Sequence, residues 1–302
     1  MELIGKTNID FMGMKKFSFI ISAIIAIVGL VGMVQMGRGA ANMGIDFSGG
    51  TEVQLKFSQP VPMDKAREAL AKNNLKDATL QDIKEGSKLM VKIGKTTLAT
   101  GKVAETIEEV FKKEFPGNSF VVESSTEIGP SVGDKLRKDT LTAILISMVG
   151  IIIYIAWRFD FKFGVGAIVA TMHDVLAMFA VFYVMNKEIN LLFITAVLTI
   201  AGYSLTDTVV VFDRIRENLH KSLKEPMDVI FNRSINEVLS RSIVTSLTTF
   251  LAACALFLFG GEVIHDFSLA LVVGIVVGVY SSVFVASPIV SLWEERGAKA
   301  KA

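Results

Sequence analysis

Asp207 lies inside the apolar run LLFITAVLTIAGYSLTDTVVVF, residues 191–212, which is long enough to cross a bilayer. An ionised Asp near the centre of such a helix costs about 2.5 to 3.5 kcal/mol to insert. An acid kept there reads first as a proton or ion site with a partner on a neighbouring helix. A structural Asp, capping backbone or paired with an arginine, is the alternative. On a helix, Tyr203, Thr206, Asp207 and Val210 share one face, and Ser204 lies three residues before the acid. That polar stripe belongs against a bundle interior or a water path.

The candidate partner is Arg241, at the start of a later apolar run, with Thr245 and Thr248 on its face. It reads equally well as a side chain reaching inward or as a snorkelling arginine at a helix end. His173 and Asp174 are adjacent near the middle of another apolar run. Histidine titrates near neutral pH, which suits a relay; a hydrogen-bonded structural pair fits equally. Asp213 and Arg214 close the 191–212 run and read as an interfacial cap or local pair. The chain has no HExxH, no GxxxxGK[ST] and no GxSxG, so nothing points to a metalloprotease, P-loop ATPase or serine hydrolase. No metal site, no cofactor and no covalent catalysis are expected. The one cysteine, Cys254, sits in an apolar run and reads as packing.

Six apolar runs, 17–36, 140–157, 163–185, 191–212, 243–260 and 267–290, supply the elements that must position these groups. With 51% hydrophobic residues, this is the pattern of a polytopic α-helical membrane protein. A net charge of +1 gives no reason to expect a nucleic-acid partner. Lys15 and Lys16, Arg158 and Lys162, the Arg214–Arg233 group, and Arg296, Lys299 and Lys301 all fall on one side of the six runs. The other side carries little beyond Lys187, Glu188 and Glu262. The positive-inside rule therefore places both termini in the cytoplasm and residues 39–138 outside. The first run is too long for a signal-peptide core, and Gly39-Ala40-Ala41-Asn42 makes a poor cleavage site, so it reads as an uncleaved anchor.

Three parts follow: 1–38 with the first span, the external domain 39–138, and 139–302 with spans two to six, including a charged segment 213–240. In the external part, alternation marks strands at 51–57, 78–83, 88–93 and 119–127. Helical spacing marks 62–73 and 100–115, and Glu85-Gly86-Ser87 reads as a hairpin turn. The order β-α-β-β-α-β is that of a ferredoxin-like α+β domain, a fold that assigns no activity by itself. Residues 213–240, interrupted at Pro226, read as a pair of short surface helices. Gly274 and Gly278 form a small-xxx-small helix-packing pattern. Gly49 and Gly50 suit either a joint between anchor and domain or a simple turn.

These residues carry a resemblance. GIDFSGG at 44–50, with Asp46, Phe47, Gly49 and Gly50, looks like the signature that opens the external domain of the SecD/SecF family. GYSLTDTVVVFDRIREN at 202–218 is similar to that family's SecF span-four motif, with Thr206 where Asn is frequent. NRSIN at 232–236, and Ser240-Arg241 leading to TSLTT at 245–249, resemble the entry to its fifth span. The likeness covers nearly the whole chain and is closer to a stand-alone SecF branch than to a fused SecDF. It implies an RND-like half that works with SecD, commonly YajC, beside SecYEG in the bacterial inner membrane. It implies use of the proton motive force to promote preprotein translocation, with the coupling acid on Asp207 and the basic residue on Arg241. His173-Asp174 also matches a recurring pair. Two other expectations stand beside this one: a stand-alone RND-type exporter of small amphiphiles or lipids, and a purely structural translocon subunit.

Overall fold

The computed structural model describes residues 7–38, 41–73, 75–76, 78–83, 87–94, 102–222 and 225–299, without the side chains of 262 and 297–299. Residues 84–86 of the expected hairpin turn lie outside the described residues, as do Gly39, Ala40, Leu223, Lys224 and Lys301. The chain forms two compact units, Met43–Thr142 and the pair Met1–Asn42 with Ala143–Ala302.

The first unit is a sheet domain. A one-turn helix α2 (Ile45–Ser48) leads into β1 (Gly50–Phe57), followed by α3 (Met63–Lys72), β2 (Thr79–Ile83), β3 (Lys88–Ile93), α4 (Lys102–Glu114) and β4 (Phe120–Ile128). The strands form one sheet in the order β2-β3-β1-β4, every pair antiparallel. Period-two alternation sends Val53, Leu55 and Phe57 of β1, and Leu89, Val91 and Ile93 of β3, to one face. There they meet Ala66, Ala69 and Leu70 of α3 and Ile107, Val110 and Phe111 of α4, whose apolar residues recur at helical spacing. Phe57 and Phe111 meet edge to face, their centroids 5.6 Å apart.

Gly49 and Gly50 enter this sheet with φ of +69° and +139°. A Cβ on Gly50 would stand 2.3 Å from the carbonyl oxygen of Ile93. Both positions need the backbone freedom of glycine, and Gly50 lies too close to β3 for a side chain. Phe47 is buried beside it.

The second unit holds the helices α1 (Lys15–Gly37), α5 (Pro130–Arg158, which begins in the sheet-domain unit), α6 (Phe161–Val184), α7 (Leu191–Lys221), α8 (Met227–Phe259) and α9 (Glu262–Ser281). A π-helical turn, Ser282–Ala286, joins α9 to α10 (Ser287–Lys299). Among the described residues, six stretches are long and apolar enough to cross a membrane, the last running from Val263 through Arg296. The π turn has a local cause. Pro288 has no amide proton for the carbonyl four residues earlier, so the ladder widens just before it. Within the turn, Ser287 Oγ donates to the Ser282 carbonyl at 2.8 Å.

α6 and α7 form the centre of the bundle, each with a long list of buried residues. Gly274 and Gly278 bring α9 onto α7: a Cβ at either would meet Ile200 or Ser204 at 2.5 or 3.0 Å. This is the close approach expected of the small-xxx-small pattern. α5 joins the core through its last turn, at Ile155, while Leu145, Ile146, Ile153 and Trp157 remain exposed.

The charged segment 213–240 is not a separate pair of surface helices. α7 runs on to Lys221 and α8 starts at Met227, so the segment consists of the extended ends of the fourth and fifth spans. The reason lies in their contacts. Ile215, Phe231 and Ile235 are fully buried in the core, and Asn218 Nδ2 donates to Ser234 Oγ at 3.0 Å. Arg214 pairs with Glu237 at 2.7 Å. Pro226 ends the break and precedes the first turn of α8.

The N-terminal segment is clamped against α8 by two asparagines. Asn236 accepts from the Ile9 amide and donates to the Ile9 carbonyl, each at 2.9 Å, and Asn232 accepts from the Met12 amide at 2.9 Å. Asn232 also donates to Asp10 Oδ1 at 2.6 Å. Lys15 pairs with Asp228 of α8 at 3.0 Å.

Two predictions follow from these geometries. Gly50→Ala should destabilise the chain by about 1–3 kcal/mol or more, because a strained backbone and a clash coincide. Gly117→Ala, where a Cβ meets nothing within 4 Å, should stay within about 0.5 kcal/mol; thermal unfolding in detergent compares them. At Asp10, the bonds from the Gly13 amide and the Asn232 side chain hold the carboxyl below the usual carboxylate range. A lowered folded pKa gives stability that is present above the unfolded value, near about pH 4. It is lost as pH falls through the lower, folded value. Acid should therefore expose the N-terminus to protease in the native chain, and Asp10→Asn should remove that pH dependence.

Candidate functional site

Asp207 faces inward from α7 at 7% exposure. Its Oδ2 accepts a 2.9 Å hydrogen bond from Ser246 Oγ of α8. The inward face of α7 is Ser204, Asp207, Thr208 and Val211, all buried. Thr206, expected to share the acid's face, is exposed, and its hydroxyl donates to the Tyr203 carbonyl. Adjacent helical residues stand about 100° apart, so only one of the two could follow the acid inward. The sequence spacing allowed either stripe, and packing against α8 and α9 selected this one.

Arg241 is exposed at the surface of α8 and forms no ion pair with Asp207. The neutral hydroxyl of Ser246 takes the place expected for the guanidinium. A cavity of about 10 Å³ lies beside the acid, room for a single water molecule. It is lined by Asp207, Ser242, Ser282 and apolar side chains including Val211, Ile235 and Val283. Ser242 Oγ is buried there without a partner among the described residues.

His173 and Asp174 do come together, on α6 and deeper than Asp207. Asp174 is 0% exposed. Its Oδ1 lies 3.3 Å from His173 Nδ1, and its Oδ2 accepts from Ser204 of α7 and from Ser281 of α9, the latter at 2.9 Å. The next serine, Ser282, bonds Thr208 Oγ1 of α7 at 2.9 Å. The preceding Tyr280 donates to the Ser18 carbonyl of α1 at 3.1 Å and meets Ser22 Oγ at 2.9 Å. Three consecutive residues of α9 and its π turn thus tie three other helices. Sequence reasoning missed Ser246, Ser281 and Ser282. The signal available was a run of hydroxyls inside an apolar span, followed by Pro288 in the case of Ser281 and Ser282.

Asp213 is paired with Arg158, the last residue of α5, and not with its neighbour Arg214. Arg214 instead bridges Glu217 and Glu237. Consecutive residues on a helix point apart, which prevents the expected local pair. Among the described residues no cluster of His, Cys, Asp or Glu has the makings of a metal site.

A polar-centred bundle of six membrane-crossing helices with one sheet domain is the architecture of a multi-pass membrane protein. Residues 106–296 match the family model described as Protein export membrane protein SecD/SecF, C-terminal, and residues 41–61 match the SecD/SecF GG Motif. The chain belongs to the SecD/SecF family of protein-export membrane proteins. The protein translocase subunit SecF of Thermodesulfovibrio yellowstonii is 53% identical over 96% of this chain and 96% of its own length. That of Calditerrivibrio nitroreducens is 40% identical over 97% of this chain and 96% of its own length. The crystal structure of SecDF from Thermus thermophilus, a translocon-associated membrane protein, matches with a TM-score of 0.86 at 34% identity. That match covers 98% of this chain and 40% of the SecDF chain. SecDF in its super-membrane-facing form matches with a TM-score of 0.70 over all of this chain and 40% of the other. This chain therefore spans well under half the length of the solved SecDF chains.

The geometry separates the two candidate partners of Asp207. Ser246→Ala should lower stability by about 0.6 to 1.7 kcal/mol, the range for hydrogen bonds between membrane helices. Arg241→Ala should cost less than this, and unfolding titrations in mild detergent measure both.

Proposed function

We propose that this chain is the SecF-type half of a proton-driven device that, with a SecD-type partner, promotes preprotein translocation beside the SecYEG translocon. Asp207 takes up and releases the proton. One observation carries the reading: a buried carboxylate bonded by a neutral hydroxyl from the next helix, with no cation in contact among the described residues and a water-sized cavity beside it. An ionised carboxylate in this setting is a charge without a counter-charge, and a proton cancels it. A unit charge moving through 100 mV releases about 2.3 kcal/mol. That is enough to bias how α7 and α8 pack.

The same surface argues for a partner. Thr195, Thr199, Thr206, Arg241, Thr245 and Thr248 are exposed on α7 and α8, within stretches apolar enough to cross a membrane. The threonine hydroxyls bond back to carbonyls of their own helices, but a guanidinium is poorly suited to lipid tails. A SecD-type half covering this face would give Arg241 an environment other than lipid. In this reading both termini are cytoplasmic and the sheet domain is periplasmic, as the distribution of Lys and Arg supports. The sheet domain meets the preprotein, YajC is a further companion, and the work is done without covalent catalysis or cofactor.

The test uses vesicles carrying SecYEG, this chain and its SecD-type partner. Asp207→Asn should insert and pair normally, yet lose the acceleration of preprotein export that a proton gradient gives the native pair. Normal gradient-dependent export by the assembled variant would make Asp207 structural.

A further inference from the structure

We propose that Asp174 is a second reversible proton site in the bundle, with Ser281 as the hydroxyl that answers its charge. The inference deepens the reading of the bundle as proton-responsive and rests on that reading, but it concerns a different carboxyl on a different helix.

Hydrogen-bond accounting carries it. Asp174 is 0% exposed, and three donors converge on it. His173 Nδ1 faces Oδ1 at 3.3 Å, Ser204 Oγ faces Oδ2, and Ser281 Oγ faces Oδ2 at 2.9 Å. Three donors on two oxygens suit the ionised form. With Nδ1–H donating, His173 Nε2 is a bare lone pair, and that atom is indeed buried without a partner. A bare acceptor is tolerated more readily there than an orphaned N–H.

The neutral form is equally well provided for. Ser281 Oγ also lies 3.1 Å from the Gly278 carbonyl of its own helix. When a proton binds Asp174 Oδ2, the new O–H donates to Ser281 Oγ. The serine proton swings to the Gly278 carbonyl, while Ser204 and His173 keep their bonds. The step is proton uptake alone: one O–H bond forms, no other bond changes, and the buried charge falls from −1 to zero. Neither state leaves a donor orphaned, so the site accommodates both the charged and the neutral acid.

The surroundings contain no fixed counter-charge. His173 is the only basic residue bonded to Asp174 among the described residues. α7 presents Ser204, and its own acid, Asp207, turns instead to Ser246 of α8. α9 presents Ser281, and Tyr280, whose ring lies 5.9 Å from the imidazole. α1 presents Ser18 and Ser22, both engaged by Tyr280. The responding hydroxyl is also well placed. Ser281 adjoins the π turn, and Ser282, next in the chain, lines the cavity beside Asp207. One turn of the sixth span thus touches both acids.

The experiment is infrared difference spectroscopy of the full-length chain in lipid vesicles on acidification, with histidine-labelled NMR on the same samples. The chain has only 3 histidines, so His173 is assigned by one substitution. The protonated-carboxyl component of a buried group, separate from that of the exposed carboxyls, should persist in Asp207→Asn, vanish in Asp207→Asn with Asp174→Asn, and shift in frequency in Ser281→Ala. The His173 Nδ1 resonance should move with the same midpoint. If Asp174→Asn does not fold, the Ser281→Ala shift in the Asp207→Asn background and the His173 midpoint decide the matter. A band unaffected by both Asp174→Asn and Ser281→Ala, or no band in Asp207→Asn, overturns the proposal. Because the band is read in Asp207→Asn, it stands or falls separately from the export result for that variant.

Discussion

A membrane interior offers no water to a polar side chain, and this bundle is organised around that constraint. Every buried hydroxyl or carboxylate that faces another helix must find its partner there. Tyr280, Ser281 and Ser282 meet the requirement on three consecutive residues by reaching α1, α6 and α7 in turn. Because successive helical side chains point about 100° apart, one turn of α9 can serve three neighbours at once. The π turn and Pro288 follow directly, placing the least regular backbone of the sixth span beside its densest polar contacts.

The two intramembrane acids meet that constraint differently. Asp174 is enclosed at the centre with three facing donors, so its environment is complete. Asp207 sits nearer the α7–α8 seam with one hydroxyl and a small cavity. Asp207 therefore has fewer bonds holding its charge in place than Asp174 has. The glycines that let α9 approach α7, Gly274 and Gly278, lie at the level of Ile200 and Ser204, close to both acids.

At one end of the bundle, ion pairs link Lys15 to α8, Arg158 of α5 to α7, Lys162 of α6 to α10, and Arg214 of α7 to α8. Singly, such partly exposed pairs contribute little. Together with the asparagine clamp on residues 9–12 they define the register of the helix ends that leave the apolar zone. This explains why a charged stretch that reads as loose surface helices is instead the rigid continuation of α7 and α8.

Much of this was legible in the chain itself. Span number and span centres followed from length and apolarity, and the strand and helix order of the sheet domain from periods of two and 3.6. These are local properties, set by a residue and its near neighbours. Tertiary structure decided what depends on residues far apart in sequence. It turned Ser204 and Thr208 inward with Asp207 and left Thr206 outside. It gave Asp207 a serine in place of Arg241, joined Asp213 to Arg158, and set Gly49 and Gly50 at positive φ, the latter against β3. Each choice lay between neighbours that the sequence spacing allowed equally. Only the packing of one helix or strand against another, where a hydroxyl must be satisfied or a Cβ has no room, separated them.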